Sequence, residues 1–432
     1  MRSEILAANE VASATRRHPL LVNAYALILN AVFGAIFGIG FWIAAARNYS
    51  PADVGRASAA ISCLLLVSSI GQLNLSAALP RFLPSAGHGS RKLVLGSYFA
   101  AVTATGVTAS VFLLVAANND GLTDAVGPGV RHALWFWAAS IAWVLFTLQD
   151  SALAGLRKTG SVIADNAIYG AVRFAALVAL SSVWTRGGMF AAWTFPLVGM
   201  IVAVNWLLFR RYLPRHAEAT CHQTPATIEE IKRYASSDYA GSLVTVSLAY
   251  LVPAVVVAAA GASVGGRVAI CWAVASSLDV ASTSFATSLT VEGAHDNDTG
   301  RLREMALAIT GRLALLISSA VLLIVIAAPF VLGALGPAYS EDVTFLRLLG
   351  LGALGRIVVA PWFAIARVRH ETRKIALIEL TRGLTVLIVS VVLSHRLGVE
   401  GLGVGVVAGQ AVAAFLAWPE LRDVLWPEHR KA

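Results

Sequence analysis

VGRASAAISCLLLVSSIGQ, residues 54–72, returns 210 positions later as VGGRVAICWAVASSLDVASTS, residues 264–284. Val54-Gly55-Arg56 opens an apolar run that ends at Leu79, and Val264-Gly265-Gly266-Arg267 opens another that ends at Leu289. The correspondence continues further along at nearly the same offset, where Ala154-Gly155-Leu156-Arg157-Lys158 finds its counterpart in Ala366-Arg367-Val368-Arg369-His370, and Trp184 to Gly188 in Leu397 to Gly401. A chain whose back half repeats its front half in this way is built from two copies of one unit. Because each run is unbroken for about 20 residues, the length of helix that crosses roughly 30 Å of hydrocarbon, the unit is a helical membrane bundle.

Working outward from these two runs, twelve apolar stretches fall near 20–46, 57–80, 93–117, 132–155, 162–183, 189–210, 234–259, 267–290, 304–328, 343–366, 375–394 and 401–424. With 57% hydrophobic and 13% charged residues and a mean hydropathy of +0.73, the 432-residue chain has more apolar surface than a soluble protein could bury. Strands of a β-barrel alternate in polarity, and these runs do not. The expected fold is an all-α polytopic membrane protein with 12 transmembrane helices, arranged as two homologous six-helix lobes around a central cavity. Residues 1–18 form an N-terminal cytoplasmic or interfacial segment, 19–213 the N-lobe, 214–233 a cytoplasmic linker, 234–426 the C-lobe and 427–432 a cytoplasmic tail. Six spans per unit is an even number, so both lobes start on one face of the membrane. In the linker, Thr227-Ile228-Glu229-Glu230 has the spacing of a capping box that starts a short helix.

The excess of 33 Lys+Arg over 24 Asp+Glu would fit a nucleic-acid partner if it were clustered in a soluble domain. It is distributed by membrane face instead. With both termini inside, twenty-two of the basic residues fall on the inner side and seven on the outer side, the bias that the positive-inside rule describes, so no nucleic acid is expected as a partner. Three cysteines, Cys63, Cys221 and Cys271, allow neither a disulfide framework nor a metal cluster and are read as packing residues. No metal and no cofactor are expected. Walker, HExxH and Ser/His/Asp arrangements are missing from the sequence, and the outer loops are short, the longest running from about Asn118 to Val130.

Four arginines remain inside the spans, where an unpaired charge costs several kcal/mol. Arg173 and Arg356 stand ten or more residues from either end of their spans, near the midplane. Arg312 and Arg382 are closer to the inner ends, within reach of the interface by snorkelling, and Arg382 has Glu379 one turn away. Arg173 continues a stripe made by Asp165 or Asn166 and Tyr169; it is either half of a packing ion pair or a cation lining the cavity. The one acidic residue near the midplane, Asp279, belongs to a polar face Ser276, Asp279, Thr283, Thr287, Thr290, all at helical spacing. The equivalent second span carries Ser62, Ser69, Gln72 and Ser76, with Ser69 in register with Asp279. Two polar faces on homologous helices suit the walls of a wet cavity, although such hydroxyls also bond the carbonyl four residues back. The candidate substrate site is therefore Arg173, Arg356 and Arg382 as cations, with Ser69, Gln72, Ser276, Asp279 and Thr283 as the polar lining.

The loop Asn48-Tyr49-Ser50-Pro51-Ala52-Asp53-Val54-Gly55, the exit Leu79-Pro80-Arg81-Phe82-Leu83 and the entry Leu397-Gly398-Val399-Glu400-Gly401 resemble those of the multidrug/oligosaccharidyl-lipid/polysaccharide exporter superfamily, and within it the bacterial polysaccharide flippases of the O-antigen or teichoic type. The resemblance covers about residues 19–426. It implies a V-shaped pair of lobes and alternating access that carries a polyprenyl-diphosphate-linked oligosaccharide from the inner to the outer leaflet for lipopolysaccharide or other cell-surface polysaccharide biosynthesis. It further implies a monomer in the bacterial inner membrane, surrounded by membrane lipids, with glycan-assembly enzymes as partners and no enzymatic activity of its own. The alternative within the superfamily is a MATE-type cation/drug antiporter, which calls for carboxylates in the cavity, where the sequence offers one mid-depth aspartate against four arginines. A polymerase or ligase of glycan assembly needs polar groups on the outer face that these brief loops do not supply.

Overall fold

The computed structural model describes residues 37–426, apart from 224, 238, 296–298 and 370. The segment 1–18, most of the first predicted span and the tail from 427 lie outside the described residues. The elements in chain order are helices α1 (residues 37–48), α2 (Pro51–Gly71), α3 (Leu75–Phe82), α4 (Ser90–Ala116), α5 (Asp120–Val126), α6 (Val130–Gly155), α7 (Thr159–Ser181), α8 (Gly188–Leu207), α9 (Leu213–Ala219), α10 (Ile228–Ser237), α11 (Tyr239–Ala260), α12 (Ala262–His295), α13 (Thr299–Leu335), α14 (Val343–Ala353), α15 (Arg356–Val368), α16 (Thr372–Leu397) and α17 (Val399–Leu425). Nine helical segments among the described residues are long and apolar enough to cross a membrane, with mean hydropathy reaching 2.8 in Arg303–Leu335. Together with α1, α11 and α12 these segments follow the order of the twelve predicted spans.

Local chemistry starts the elements where the sequence suggests. Ser50 caps α2 by accepting from the Asp53 amide at 3.2 Å, with Pro51 in the first turn, where its missing N–H costs nothing. The linker forms the expected capping box: the Thr227 amide donates to Glu230 Oε2 at 2.8 Å, and the Glu230 amide to Thr227 Oγ1 at 3.3 Å. The start of α10 is thereby fixed, and its Tyr234 packs on Phe82 and under the Arg81 guanidinium, tying the linker to the N-lobe.

Two predicted spans are not continuous. Span two breaks between α2 and α3, where Leu73 and Asn74 take left-handed backbone angles (φ 53° and 57°). Span ten breaks between α14 and α15 at Leu354-Gly355, leaving Arg356 as the first residue of a new helix and not the middle of an old one. A side chain at Gly355 would lie 2.9 Å from the Gln410 carbonyl, so the break is seated directly on α17.

The apolar packing divides the molecule by depth. One joint core draws on both lobes, with Phe41, Val54 and Phe136 meeting Val268, Leu332 and Phe345 at the ends of the helices away from the basic loops. Toward the basic face there are two separate cores, Leu79, Leu148 and Leu208 in the N-lobe and Leu313, Trp362 and Leu421 in the C-lobe. Cys63 and Cys271 are buried in the joint core, as expected of packing residues, and Cys221 is exposed.

Where the lobes join, α2 crosses α12 backbone to backbone. A Cβ on Gly55 would sit 1.8 Å from the Ala262 carbonyl oxygen, and one on Gly266 would sit 1.8 Å from the Pro51 carbonyl oxygen. No side chain fits in either place, which is the physical reason for the two Val-Gly starts read from the repeat. The repeated arginines beside them behave alike. Arg56 pairs with Asp53 (2.7 Å) and Asp124 (3.4 Å), and Arg267 with Glu341 (2.5 Å) and Asp342 (3.2 Å), each reaching the loop that follows the next span of its own lobe.

Candidate functional site: a cavity between the lobes

Beneath the joint core lies a cavity of about 390 Å³ to which both lobes contribute. Its N-lobe wall comes from α1, α2 and α8 and its C-lobe wall from α11, α12 and the helices from α14 to α17. Trp42, Trp193, Trp272 and Tyr250 supply flat aromatic faces, Ser58, Ser62 and Ser276 supply hydroxyls, and Asp279, Arg356 and Arg382 supply the charge. Leu354 and Gly355 keep right-handed helical angles through the interruption in span ten, and Arg356 follows as the first residue of α15, its side chain reaching Asp279 on α12.

There Arg356 Nε stands 2.8 Å from Asp279 Oδ1. The contact is an ion pair and not a well-directed hydrogen bond, since Arg356 Nε has no donor geometry to any acceptor. The two partners differ in exposure: the Asp279 side chain is 45% accessible and that of Arg356 only 14%. The carboxylate thus faces the cavity while the guanidinium is held against the wall. Arg382 is bound to Glu379, with Nε to Oε2 at 3.2 Å and a closer contact through Nη2, so the neighbour one turn away is its partner as the spacing predicts. Both cavity arginines are therefore neutralised by carboxylates.

Arg173 does not line this cavity. Its guanidinium stacks on Trp193 (4.3 Å from the ring centroid), Tyr169 (5.2 Å) and Phe41 (5.4 Å), and it forms no ion pair among the described residues. Trp193 stands between the two environments, lining the central cavity and carrying Arg173 over its ring. The expectation that Arg173 and Arg356 share one cationic hollow is corrected by this partition. Rings drawn from three helices, α1, α7 and α8, compensate a buried cation through their quadrupoles, and no spacing within a single helix signals such a box.

The predicted polar lining divides in the same way. Ser276 and Asp279 face the cavity, whereas Ser69, Gln72 and Thr283 are not among its lining residues. Gln72 caps the end of α2 at the break, which turns it off the stripe, and Ser58 and Ser62 take the lining role about two to four turns earlier. Thr283 Oγ1 donates to the Asp279 carbonyl at 2.9 Å, the bond to the preceding turn that membrane helices commonly use. The side chains of Thr287 and Thr290 lie outside the described residues.

A second polar centre lies wholly within the N-lobe. Tyr98 donates to Asn205 Oδ1 (2.9 Å), Asn205 to Gln149 Oε1 (2.9 Å), Gln149 to Asp165 Oδ2 (3.0 Å), and Asn166 to Asp150 Oδ2 (2.8 Å). The chain is closed by contact between the Asp150 and Asp165 carboxyls. Oδ1 of each aspartate is buried and receives no N–H donor. An ionised carboxylate is only an acceptor, so a hydrogen bond between the pair requires a proton on one of them. Asp150 also lines a cavity of about 410 Å³ that reaches Arg173. Sequence reading placed Asp165 and Asn166 on the Arg173 stripe but missed Asp150, Gln149, Asn205 and Tyr98, whose association depends on four helices meeting.

No protein-family profile matches the sequence, and no curated protein matches it. Solved structures do. The chain superposes on an inward-facing multidrug resistance MATE family transporter of the MOP superfamily with a TM-score of 0.71 at 15% identity, over 92% of this chain and 96% of that one. It superposes on an outward-facing MATE transporter of the MOP superfamily with a TM-score of 0.63 at 16% identity, over 94% and 95%. For the MATE multidrug transporter DinF-BH the score is 0.68 at 12% identity, over 94% and 97%. At these identities the likeness establishes the fold alone: the all-helical, two-lobed polytopic membrane architecture that those MATE transporters have. The structures it matches are multidrug transporters, and they lend no support to the narrower resemblance to polysaccharide flippases.

Proposed function

We propose that this protein is an alternating-access antiporter that exports amphipathic organic cations. The observation that carries the reading is Asp279: a carboxylate nearly half exposed in an aromatic-walled cavity between the lobes, whose present partner is a poorly directed arginine. A flat cation entering between Trp42, Trp272 and Tyr250 gains cation–π contact. It replaces Arg356 on Asp279 without leaving a buried carboxylate unpaired. Carboxylates in the cavity are what the antiporter alternative requires, and Asp279 is the one that lines it; Glu379, which neutralises Arg382, is buried behind the wall. The Asp150–Asp165 pair supplies a coupling proton: if one carboxyl loses it, the like charges repel and the packing of α6 against α7 changes. On this reading the Arg- and Lys-rich loops and both termini are cytoplasmic, in a bacterial inner membrane, and the protein acts as a monomer without a cofactor.

The second reading is the flippase for a polyprenyl-diphosphate-linked oligosaccharide, with lipid-linked glycan and glycan-assembly enzymes as partners. One observation favours it, the Arg173 guanidinium with no carboxylate on it, which a diphosphate could use if Trp193 swung away. The test is efflux in cells and in proteoliposomes. Export of a planar fluorescent cation driven by an imposed proton gradient, and abolished by Asp279→Asn, supports the antiporter. If no cation moves and a deletion strain accumulates lipid-linked repeat units on the inner leaflet, the flippase reading replaces it.

A further inference from the structure

On the basic face of the N-lobe, away from both polar centres, lies a third cavity of about 410 Å³. Its lining is Leu156, Lys158, Arg211, Tyr212, Arg215 and His216. Four of the six are basic and none is acidic. Lys158, Arg211 and Arg215 form no ion pair among the described residues, unlike Arg356 and Arg382 in the central cavity.

The backbone builds this convergence from two directions. Between α8 and α9 the chain makes a π-helical turn, Leu208–Tyr212, in which bonds run from i to i+5 and the register shifts. Arg211 thereby follows Trp206 on one face, and Arg215 comes one turn later. From the other side, Arg157 takes a left-handed conformation (φ 57°) at the end of α6 and delivers Lys158 over the Tyr212 ring, 5.5 Å from its centroid. Tyr212 is held in turn by Ser161 at 3.1 Å. His216 Nε2 contacts the Leu83 carbonyl at 3.0 Å; a carbonyl only accepts, so Nε2 carries the proton and the ring is fixed in place. Lys158 and His216 are held by the Tyr212 ring and the Leu83 carbonyl, and Arg211 and Arg215 stand exposed beside them with no ion pair among the described residues.

The face of α8 that leads to this pocket is apolar and uncovered. Val198, Val202 and Trp206 are 60%, 67% and 62% exposed at a four-residue spacing, a stripe of about 12 Å at about 1.5 Å per residue that covers most of the roughly 15 Å of one leaflet's hydrocarbon and ends at the basic pocket. A headgroup site at the end of a lipid-facing stripe, with a tryptophan at the junction, is the arrangement of a phospholipid standing in its own leaflet.

We propose that Lys158, Arg211, Arg215 and His216 bind the phosphate of an anionic phospholipid, whose acyl chain lies along Val198, Val202 and Trp206. Phosphodiester oxygens would take the guanidinium and ammonium donors as charge-assisted hydrogen bonds. Nothing in the transport cycle needs this site, so it stands apart from the proposed function.

The experiment is native mass spectrometry and thermal unfolding of the full-length protein, in nanodiscs of phosphatidylcholine alone or mixed with phosphatidylglycerol. Retained phosphatidylglycerol adducts and a raised unfolding temperature in the mixed discs are expected, with Arg211→Gln/Arg215→Gln weakening the adduct roughly 30-fold, as for loss of two phosphate-facing cations. Lys158→Gln, outside the π-helical turn, gives a smaller loss in the same direction and serves if the double variant misfolds. Arg91→Gln on the same face but outside the pocket leaves binding unchanged. Equal adducts in wild type and both pocket variants would overturn the proposal. Stabilisation by millimolar inorganic phosphate in pure phosphatidylcholine, abolished by the same variants, would overturn the lipid assignment in favour of a free anion.

Discussion

Arg356 Nε and Asp279 Oδ1 lie 2.8 Å apart across the boundary between α15 and α12, and the carboxylate is the partner that faces the cavity. Exposure of this kind makes the pair weak as a structural element, worth less than about 1 kcal/mol, and exchangeable as a binding element. Asp279→Asn should therefore leave the unfolding temperature close to wild type. It should nevertheless cut organic-cation transport by about tenfold or more, the loss of one charge-assisted contact of roughly 1.5 kcal/mol. Arg356→Gln removes the competitor and should tighten cation binding, read as a lower half-saturating concentration in equilibrium binding. Unchanged transport in Asp279→Asn would remove the carboxylate from the mechanism.

The Asp150–Asp165 pair makes a separate demand. On the proposed reading the two carboxyls share one proton inside a chain of amides and hydroxyls, so Asp165→Asn replaces that proton by an amide N–H that never leaves. Packing survives, because the amide still accepts from Gln149 and can donate to Asp150. The expected phenotype is cation binding with near wild-type affinity but transport that no longer responds to a proton gradient. Proteoliposome flux at symmetric and asymmetric pH separates the two quantities; flux in the variant that still follows the gradient assigns coupling elsewhere.

How much of this was legible follows from the range over which each signal acts. Apolar length is local, so the spans and their order could be read, and the repeat is visible because Gly55 and Arg56 are answered 211 residues later by Gly266 and Arg267, which meet the same local requirement. Arg382 and Glu379 were readable because one helical turn joins them. The breaks at Leu73-Asn74 and Leu354-Gly355 were not, because hydropathy continues across both and backbone direction does not register in it. Arg173 was read as a cavity cation since depth is a property of one helix, whereas its actual neighbours, Phe41 and Trp193, belong to two others. The same limit hid the acid–amide chain: Gln149 and Asp150 lie close to the end of an apolar span and acquire meaning only against Asp165 and Asn205.

The linker offers a prediction outside the membrane. Amide donation from Thr227, and after it the Thr227 hydroxyl and Arg233, hold the exposed Glu230 carboxyl below its usual range. A depressed carboxyl contributes stability above its unfolded-state value, near 4.3 in model peptides, and loses it as pH falls through the lower folded value. Helix α10 should fray only in that acidic window, seen as faster amide exchange over Ile228–Ser237, and Glu230→Gln should flatten the response. Thr227→Val, which removes one of the two reciprocal bonds, should fray α10 at neutral pH. Exchange that is insensitive to both changes would mean that packing of Tyr234 on Phe82, not the cap, fixes this helix.

The crossing of α2 and α12 sets the last expectation. Gly55 and Gly266 let the two backbones touch, and the joint core that closes around them contains Cys63 (3% accessible) and Cys271 (0%). On the proposed alternating-access reading this contact opens in the other half of the cycle, so a side chain that cannot fit should bias the equilibrium toward separated lobes. Overpacking costs about 1–3 kcal/mol, enough to shift a population by roughly five- to a hundredfold. In the wild type, a membrane-permeant maleimide should modify Cys221 readily and the two core cysteines slowly. Gly55→Leu and Gly266→Leu should each expose Cys63 and Cys271 to the reagent while the far-ultraviolet helical signal is retained. Slow labelling in both variants, with transport intact, would mean that the lobes part without breaking this crossing and that their hinge lies here.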